Sequence, residues 1–262
     1  MTAPDRAVRA RTRAGRLDAL NRWLQLHEAW LWVHAEPANV VDVGFGETPV
    51  TTLELAETLH GNTNLQIVGV ERDAARVAAA QTSSRLHLSF REGGFDSLGE
   101  FVPAVLVRAL NVLRAYPEPE AAAAIDLLAA PLVDGGLLIE GTTDTEGHLM
   151  CVHVFRKGAA QLRYDGLLFF TDGSRGFAPM MFRDWLPRDL RRRVTSGSLI
   201  REFLERWSAE AAQRETGQTP RQVFASSAVS LAARYAGYAL STDHVSEGFL
   251  YLQADLRPGS AS

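Results

Sequence analysis

The residues best placed to do chemistry lie in two short runs. Val40-Val41-Asp42-Val43-Gly44-Phe45-Gly46-Glu47-Thr48-Pro49 is an apolar stretch that ends in an acid and breaks into two closely spaced glycines. Leu65-Gln66-Ile67-Val68-Gly69-Val70-Glu71 is a second apolar stretch that also ends in an acid. Bare glycines let a ligand approach main-chain N–H groups and tolerate the backbone angles of a sharp turn. A carboxylate at the tip of a neighbouring strand can accept hydrogen bonds from both hydroxyls of a ribose. The chemistry implied is nucleotide binding in the crevice of an α/β sheet. Each run reads as a buried strand, and Thr48 and Pro49 suit the cap and first turn of a helix.

Two nucleotide chemistries share this geometry. In the dinucleotide fingerprint G-x-G-x-x-G the third glycine falls on Pro49, which lacks both the small size and the free N–H. A nicotinamide-dependent oxidoreductase is therefore the weaker reading. Asp42-Val43-Gly44-Phe45-Gly46 instead resembles the acid-h-G-x-G turn of class I S-adenosylmethionine (SAM) methyltransferases, with Glu71 similar to their ribose acid and Thr48 in place of the usual third glycine. Val105 to Tyr116, containing Arg108 and Asn111-Val112-Leu113, is similar to the R-x-x-N-V-L fourth-strand motif of several such enzymes. Leu132 to Gly141 resembles their L-x-x-G-G-h-h turn and fifth strand, and Ser89 to Asp96 occupies the adenine position.

The resemblance implies a Rossmann-like α/β fold with a mostly parallel seven-stranded sheet, an antiparallel edge strand, and an inserted β-hairpin with helices. It implies SAM as cofactor, S-adenosylhomocysteine as product and no metal. By the same comparison the cofactor is held by Asp42, Gly44, Phe45, Gly46, Glu71, Arg72, Gly94, Phe95 and Asn111, while Arg22, Tyr116 and Glu140 are candidates to meet the substrate. SAM carries an activated methyl group, so the protein must mainly align the acceptor and exclude water, worth up to ~7 to 11 kcal/mol. A general base is needed only when the acceptor must lose a proton. Glu140, Asp144, His148 and Tyr116 are candidates at strand tips, and the sequence does not choose among them.

Helices and strands alternate through the first half of the chain. Leu17, Leu20, Trp23, Leu24, His27, Trp30 and Leu31 predict an opening helix over 16–34, stopped by Pro37. Strands are expected near 39–43, 65–70, 85–90, 102–109 and 136–140, with helices near 49–60, 73–82 and 118–130. That alternation implies a parallel sheet covered on both faces. Further on, a hairpin over 151–157 and 161–170, helices near 181–192, 198–214 and 221–236, and closing strands near 238–242 and 248–254 are expected. The corresponding units are an opening helical segment (1–36), a SAM-binding core (37–142), an insertion for substrate recognition (143–215), a closing helix and hairpin (216–256) and a disordered tail (257–262).

Composition bounds the alternatives. The 262 residues, 46% hydrophobic and 22% charged, can bury a substantial core. No apolar stretch approaches the ~20 residues of a membrane span. The opening residues are Arg-rich without an apolar core, unlike a secretory signal. A lone cysteine, Cys151, excludes an internal disulfide and a cysteine-based zinc site, which suits a cytoplasmic protein. A small-molecule acceptor is the first reading. An RNA acceptor is the second, through Arg6, Arg9, Arg11, Arg13 and Arg16 and through Arg188, Arg191, Arg192 and Arg193, although the net charge of −4 and the lack of an aromatic-interleaved motif weigh against it. A non-catalytic SAM-binding protein is a third. The oligomeric state is not legible.

Overall fold

The computed structural model describes residues 12–31, 33 and 36–257. Its centre is one nine-stranded sheet of order β3-β2-β1-β4-β5-β6-β7-β9-β8. The strands are β1 (Ala38–Val43), β2 (Leu65–Glu71), β3 (Leu88–Glu92), β4 (Ala104–Leu110), β5 (Leu132–Thr143), β6 (Leu149–Lys157), β7 (Leu162–Thr171), β8 (Leu240–Ser241) and β9 (Phe249–Leu252). The first five pair in parallel, and every pairing from β5 to β8 is antiparallel. The α/β class and the parallel half are as the alternation of elements implies. The order runs outward from β1 in both directions, so its carboxyl end, beside that of β4, is the switch point where α/β sheets open a crevice.

Beside the seven expected strands, the two strands of the hairpin pair into the same sheet, which gives nine. β5 continues to Thr143, giving β6 a long edge on which Leu137 to Thr143 pair with Arg156 to Met150. The short turn between them forbids a parallel crossover and leaves the antiparallel neighbour as the available partner. β6 and β7 are thus interior strands, whose hydrophobic residues are buried from Leu149 to Phe155 and from Leu167 to Phe170. The edge is closed by β9 and the two-residue β8, within the closing strands expected near 248–254 and 238–242.

Helices cover both faces. α1 (Asp18–His27) and α2 (Val50–Thr58) pack Leu20, Trp23, Leu24 and Leu55 against the face carrying Val40, Leu106 and Ile139. α3 (Ala74–Ala80) starts at Asp73, whose side chain accepts from the N–H groups of Ala75 and Arg76 as an N-cap should. α4 (Glu118–Ala129) covers the opposite face at Val107 and Leu138. α5 (Arg188–Arg191), α6 (Leu199–Ala211) and α7 (Pro220–Arg234) enclose a second core around Trp207, Phe169, Phe182 and Phe203. Trp207 is fully buried and its indole N–H donates to Ser227 Oγ at 3.0 Å, so its apolar surface leaves the water without orphaning its donor.

Two helical expectations shorten. α1 ends at His27 and passes into a 3₁₀ turn at Ala29–Leu31, which delivers Glu28 inward to the guanidinium of Arg156 at 3.0 Å. The stretch expected as one helix over 181–192 is a 3₁₀ turn (Pro179–Trp185) followed by α5, because Pro187 disfavours helical geometry in the residue before it. Arg257, expected in a disordered tail, is ordered: it pairs with Asp255 at 2.7 Å and lies over the Tyr164 ring at 4.1 Å.

Candidate functional site

The turn after β1 is held open by backbone geometry. Gly44 and Gly46 have φ of +72° and +82°, the left-handed region that L side chains rarely adopt. A Cβ on Gly44 would sit 2.7 Å from Cγ2 of Val112, so Gly is also required by the close approach of the chain beyond β4. The Gly46 N–H donates to Glu71 Oε2 at 2.9 Å. Glu71 Oε1 accepts from the N–H groups of Arg72 at 2.9 Å and Asp73 at 3.3 Å. The two runs singled out in the sequence therefore meet directly. Three N–H donors fix the carboxylate while leaving part of its acceptor capacity, about four lone-pair sites, for a further donor.

Asp42 lies deeper than the turn. One carboxylate oxygen accepts from Arg108 Nε at 2.8 Å and the other from Thr52 Oγ1 at 2.7 Å. Arg108 is fully buried and also donates to Asn21 Oδ1 at 2.8 Å and to the Thr51 carbonyl at 3.0 Å. Asp42 thereby ties β1 to β4, α1 and α2, and orients the turn from below. Arg16 is buried above this pair, within electrostatic reach of Asp42, Arg108, Glu54 and Asp144. Burial lowers its pKa, the acids oppose the shift, and its Nε has no hydrogen-bond partner among the described residues. Glu54 is pushed up by burial and held back by the Gly15 N–H, which donates to its Oε1 at 2.6 Å.

Arg72, Phe95 and Tyr116 come together on the β2 side of the turn. Arg72 Nη1 donates to the Tyr116 hydroxyl at 3.0 Å, and the Phe95 and Tyr116 rings are 5.3 Å apart. A Cβ on Gly94 would lie 4.0 Å from Cδ of Arg72, which places the expected adenine segment against the same cluster. Tyr116, expected at the substrate, is part of this ring pair.

Asn111 follows β4 in a left-handed conformation (φ +63°) that Asn tolerates better than most residues. Its N–H donates to the Gly141 carbonyl at 2.8 Å, and its Oδ1 accepts from the Thr143 N–H at 3.1 Å. The row continues along the carboxyl edge. Asp144 is buried, and its Oδ1 accepts from the His148 N–H at 2.8 Å. Arg175 Nη1 is 3.2 Å from Asp144 Oδ2, an ion pair without hydrogen-bond alignment. His148 Nδ1 lies 2.7 Å from Asp172 Oδ2 just beyond the end of β7.

Three expected site residues are placed apart. The Phe45 side chain is 2% exposed and packs edge-to-face on Phe90 at 5.4 Å, so only its backbone lines the turn, where its carbonyl accepts from Thr12 Oγ1 at 3.2 Å. Arg22 is exposed above the Phe249 ring at 5.6 Å, on the β9 flank. Glu140 is not at a strand tip, because β5 runs on to Thr143. It is buried beside His153 and Asp189, and burial, reinforced by Asp189, pushes its carboxyl up to about 8.

Sequence reasoning gave no site role to Arg108, which it named only within a strand motif, placed Arg16 in a basic run, and did not name Asp172. A signal existed for the first, since an arginine in the apolar run Ala104 to Leu110 must find a buried acid. Arg16 belonged to a basic run expected at the surface, and Asp172 had no local pattern. Within the basic runs, Arg13 pairs with Glu146 and Arg193 with Glu118, Arg188 stays within electrostatic reach of Arg191 and Arg192, and Arg6, Arg9 and Arg11 lie outside the described residues. Among the described residues, no group of three or more His, Cys, Asp or Glu side chains is arranged to hold a metal, and no helix is long and apolar enough to cross a membrane.

No family model matches the chain, and no curated protein matches it. Among solved structures, it is similar to a magnesium protoporphyrin IX methyltransferase from Synechocystis with bound S-adenosylhomocysteine (24% identity, 48% of this chain and 53% of that one, TM-score 0.38). It is also similar to the N-methyltransferase NodS from Bradyrhizobium japonicum in complex with S-adenosylhomocysteine (17% identity, 53% and 67%, TM-score 0.38). A third is described as a pericyclic reaction enzyme (16% identity, 49% and 30%, TM-score 0.36). The match spans about half the length of the first of these chains and less than a third of the last. These are similarities over about half of this chain, and none of them assigns it an acceptor or a reaction.

Proposed function

We propose that this protein is a SAM-dependent methyltransferase acting on a small-molecule acceptor. The observation that carries the reading is the 2.9 Å bond from the Gly46 N–H to Glu71, which joins a side-chain-free turn to a fixed carboxylate at the switch point of the sheet. The cradle fits an adenosine: a turn at Gly46 whose N–H meets Glu71, an acid with spare acceptor capacity for a ribose, and the Phe95 ring for a base. When bound, SAM supplies a methyl group already activated for displacement. Glu71 would hold the ribose, Gly94 and Phe95 the adenine, and Asn111 would present its side chain toward the methionyl part. Arg16 is a further candidate to meet an anionic group there. Asp42 keeps the turn in place through Arg108. The region over 143–215, with the opening helix, would choose the acceptor.

Thermal-shift titration with SAM, S-adenosylhomocysteine, NAD and NADP tests this reading, because a ligand that prefers the native state raises stability by mass action. SAM and S-adenosylhomocysteine are expected to raise Tm and the nicotinamide cofactors to leave it unchanged. A rise with NAD alone would assign the site to hydride transfer. Pairing of Arg13 with Glu146 and Arg193 with Glu118 offsets two charges of the described basic runs, which, with the net charge of −4, weighs against an RNA acceptor.

A further inference from the structure

His148 and Asp172 form a built pair at the carboxyl edge of the sheet. The edge is continuous from the glycine turn: Gly44 abuts Val112, the neighbouring Asn111 binds Thr143, Asp144 binds the His148 N–H, and His148 meets Asp172 at 2.7 Å. A carboxylate can only accept, so the neutral imidazole carries its proton on Nδ1 and a lone pair on Nε2. The backbone on both sides is fixed, since the Asp172 N–H donates to the His148 carbonyl at 3.3 Å. Asp172 Oδ1 accepts from the Ser174 N–H at 2.9 Å and its hydroxyl at 2.7 Å. Against the raising effect of burial, these bonds and the one from His148 hold the Asp172 carboxyl below its ordinary range. The two side chains are 32% and 35% exposed, so the pair is open to solvent rather than sealed in the core.

The other charges around the pair are largely matched. Asp144 faces Arg175 and Arg16, Glu146 is paired with Arg13, and Arg221 at the start of α7 is directed to the Ser246 carbonyl. Asp172 is thus the acid that faces the His148 ring, placed to stabilise an imidazolium.

From this geometry we infer that His148, oriented by Asp172, removes the proton from a hydroxyl acceptor, a phenol or enol, rather than serving a carboxylate or thioether. The inference rests on the methyl-transfer reading. His148 Nε2 takes the hydroxyl proton, and the oxygen pair forms the O–C bond to the methyl group. The C–S bond breaks with its pair left on sulfur, and the imidazolium returns its proton to solvent. Asp172 is a positioning residue that sets the tautomer and supports the charge.

The test uses the full chain with methyl-labelled SAM and a deproteinised small-molecule extract, together with SAM thermal shifts. Wild type is expected to place label in an alkali-stable ether. His148→Gln should lower the initial rate about 100-fold or more while keeping the SAM-induced Tm rise. Asp172→Asn should lower it about tenfold or more, change the pH profile of the rate, and move the ¹⁵N signals of His148 away from the Nδ1–H tautomer. Equal transfer by wild type and His148→Gln, or label in an alkali-labile ester, would overturn the base role and leave SAM binding intact. SAM binding without transfer by wild type would overturn both the transfer reading and the base. No Tm rise with SAM would remove the donor site itself.

Discussion

The Nε of Arg108 and the carboxylate of Asp42 lie 2.8 Å apart, with Arg108 fully buried and Asp42 nearly so. The pair links the switch-point strands β1 and β4 immediately below the glycine turn. Removing one partner of a buried ion pair leaves the other uncompensated, at a cost of about 3 to 5 kcal/mol. Arg108→Ala is therefore expected to lower unfolding free energy by that amount in chemical denaturation. The double variant Arg108→Met with Asp42→Asn should recover part of it. A loss under about 1 kcal/mol in the single variant would show that the pair is not isolated from water as described.

Glu140 predicts a pH dependence of stability. Its carboxyl is raised from an ordinary 4.5 to about 8, first by burial and then by Asp189. The folded state therefore holds a proton that the unfolded chain releases at lower pH. The resulting stabilisation is fully present below about pH 4.5 and is lost as pH rises toward 8, with a limiting slope of about 1.4 kcal/mol per pH unit. Glu140→Gln should flatten that slope in urea denaturation between these values. A wild-type slope matching the variant's would mean that Glu140 is ionised in the folded protein.

Gly44 combines a left-handed backbone with the near contact to Val112. Gly44→Ala should destabilise the fold by about 1 to 2 kcal/mol from the backbone alone, and more from the clash. Adding Val112→Ala should relieve the steric part and leave the backbone part. Complete recovery in the double variant would show that the φ at position 44 is not held positive.

Glu71 is predicted to weaken SAM binding by about 1.5 to 3 kcal/mol when replaced by alanine, the range for hydrogen bonds to a charged group. Isothermal titration would show it as an increase in Kd of roughly one to two orders of magnitude. An unchanged affinity would take Glu71 out of the ribose site.

The sequence by itself determined the parallel half of the sheet and the location of the turn, because these depend on local signals. Apolar runs ending in Asp42 and Glu71 and closely spaced glycines act within a few residues of where they are read. The place of the hairpin within the sheet was not legible for the opposite reason: whether β6 belongs to the sheet depends on how far β5 extends, and a length of strand is decided by its neighbours. The same holds at the site. That Phe45 turns into the core against Phe90, that Glu140 is buried beside Asp189, and that Asp42 is matched by Arg108 are consequences of which strand lies beside which. His148 could be singled out in the sequence among several candidates, but its partner is 24 residues away, at the end of another strand. Only the pairing of β6 with β7 brings Asp172 within 2.7 Å, since hydrogen-bond geometry is fixed by tertiary distance and not by chain separation.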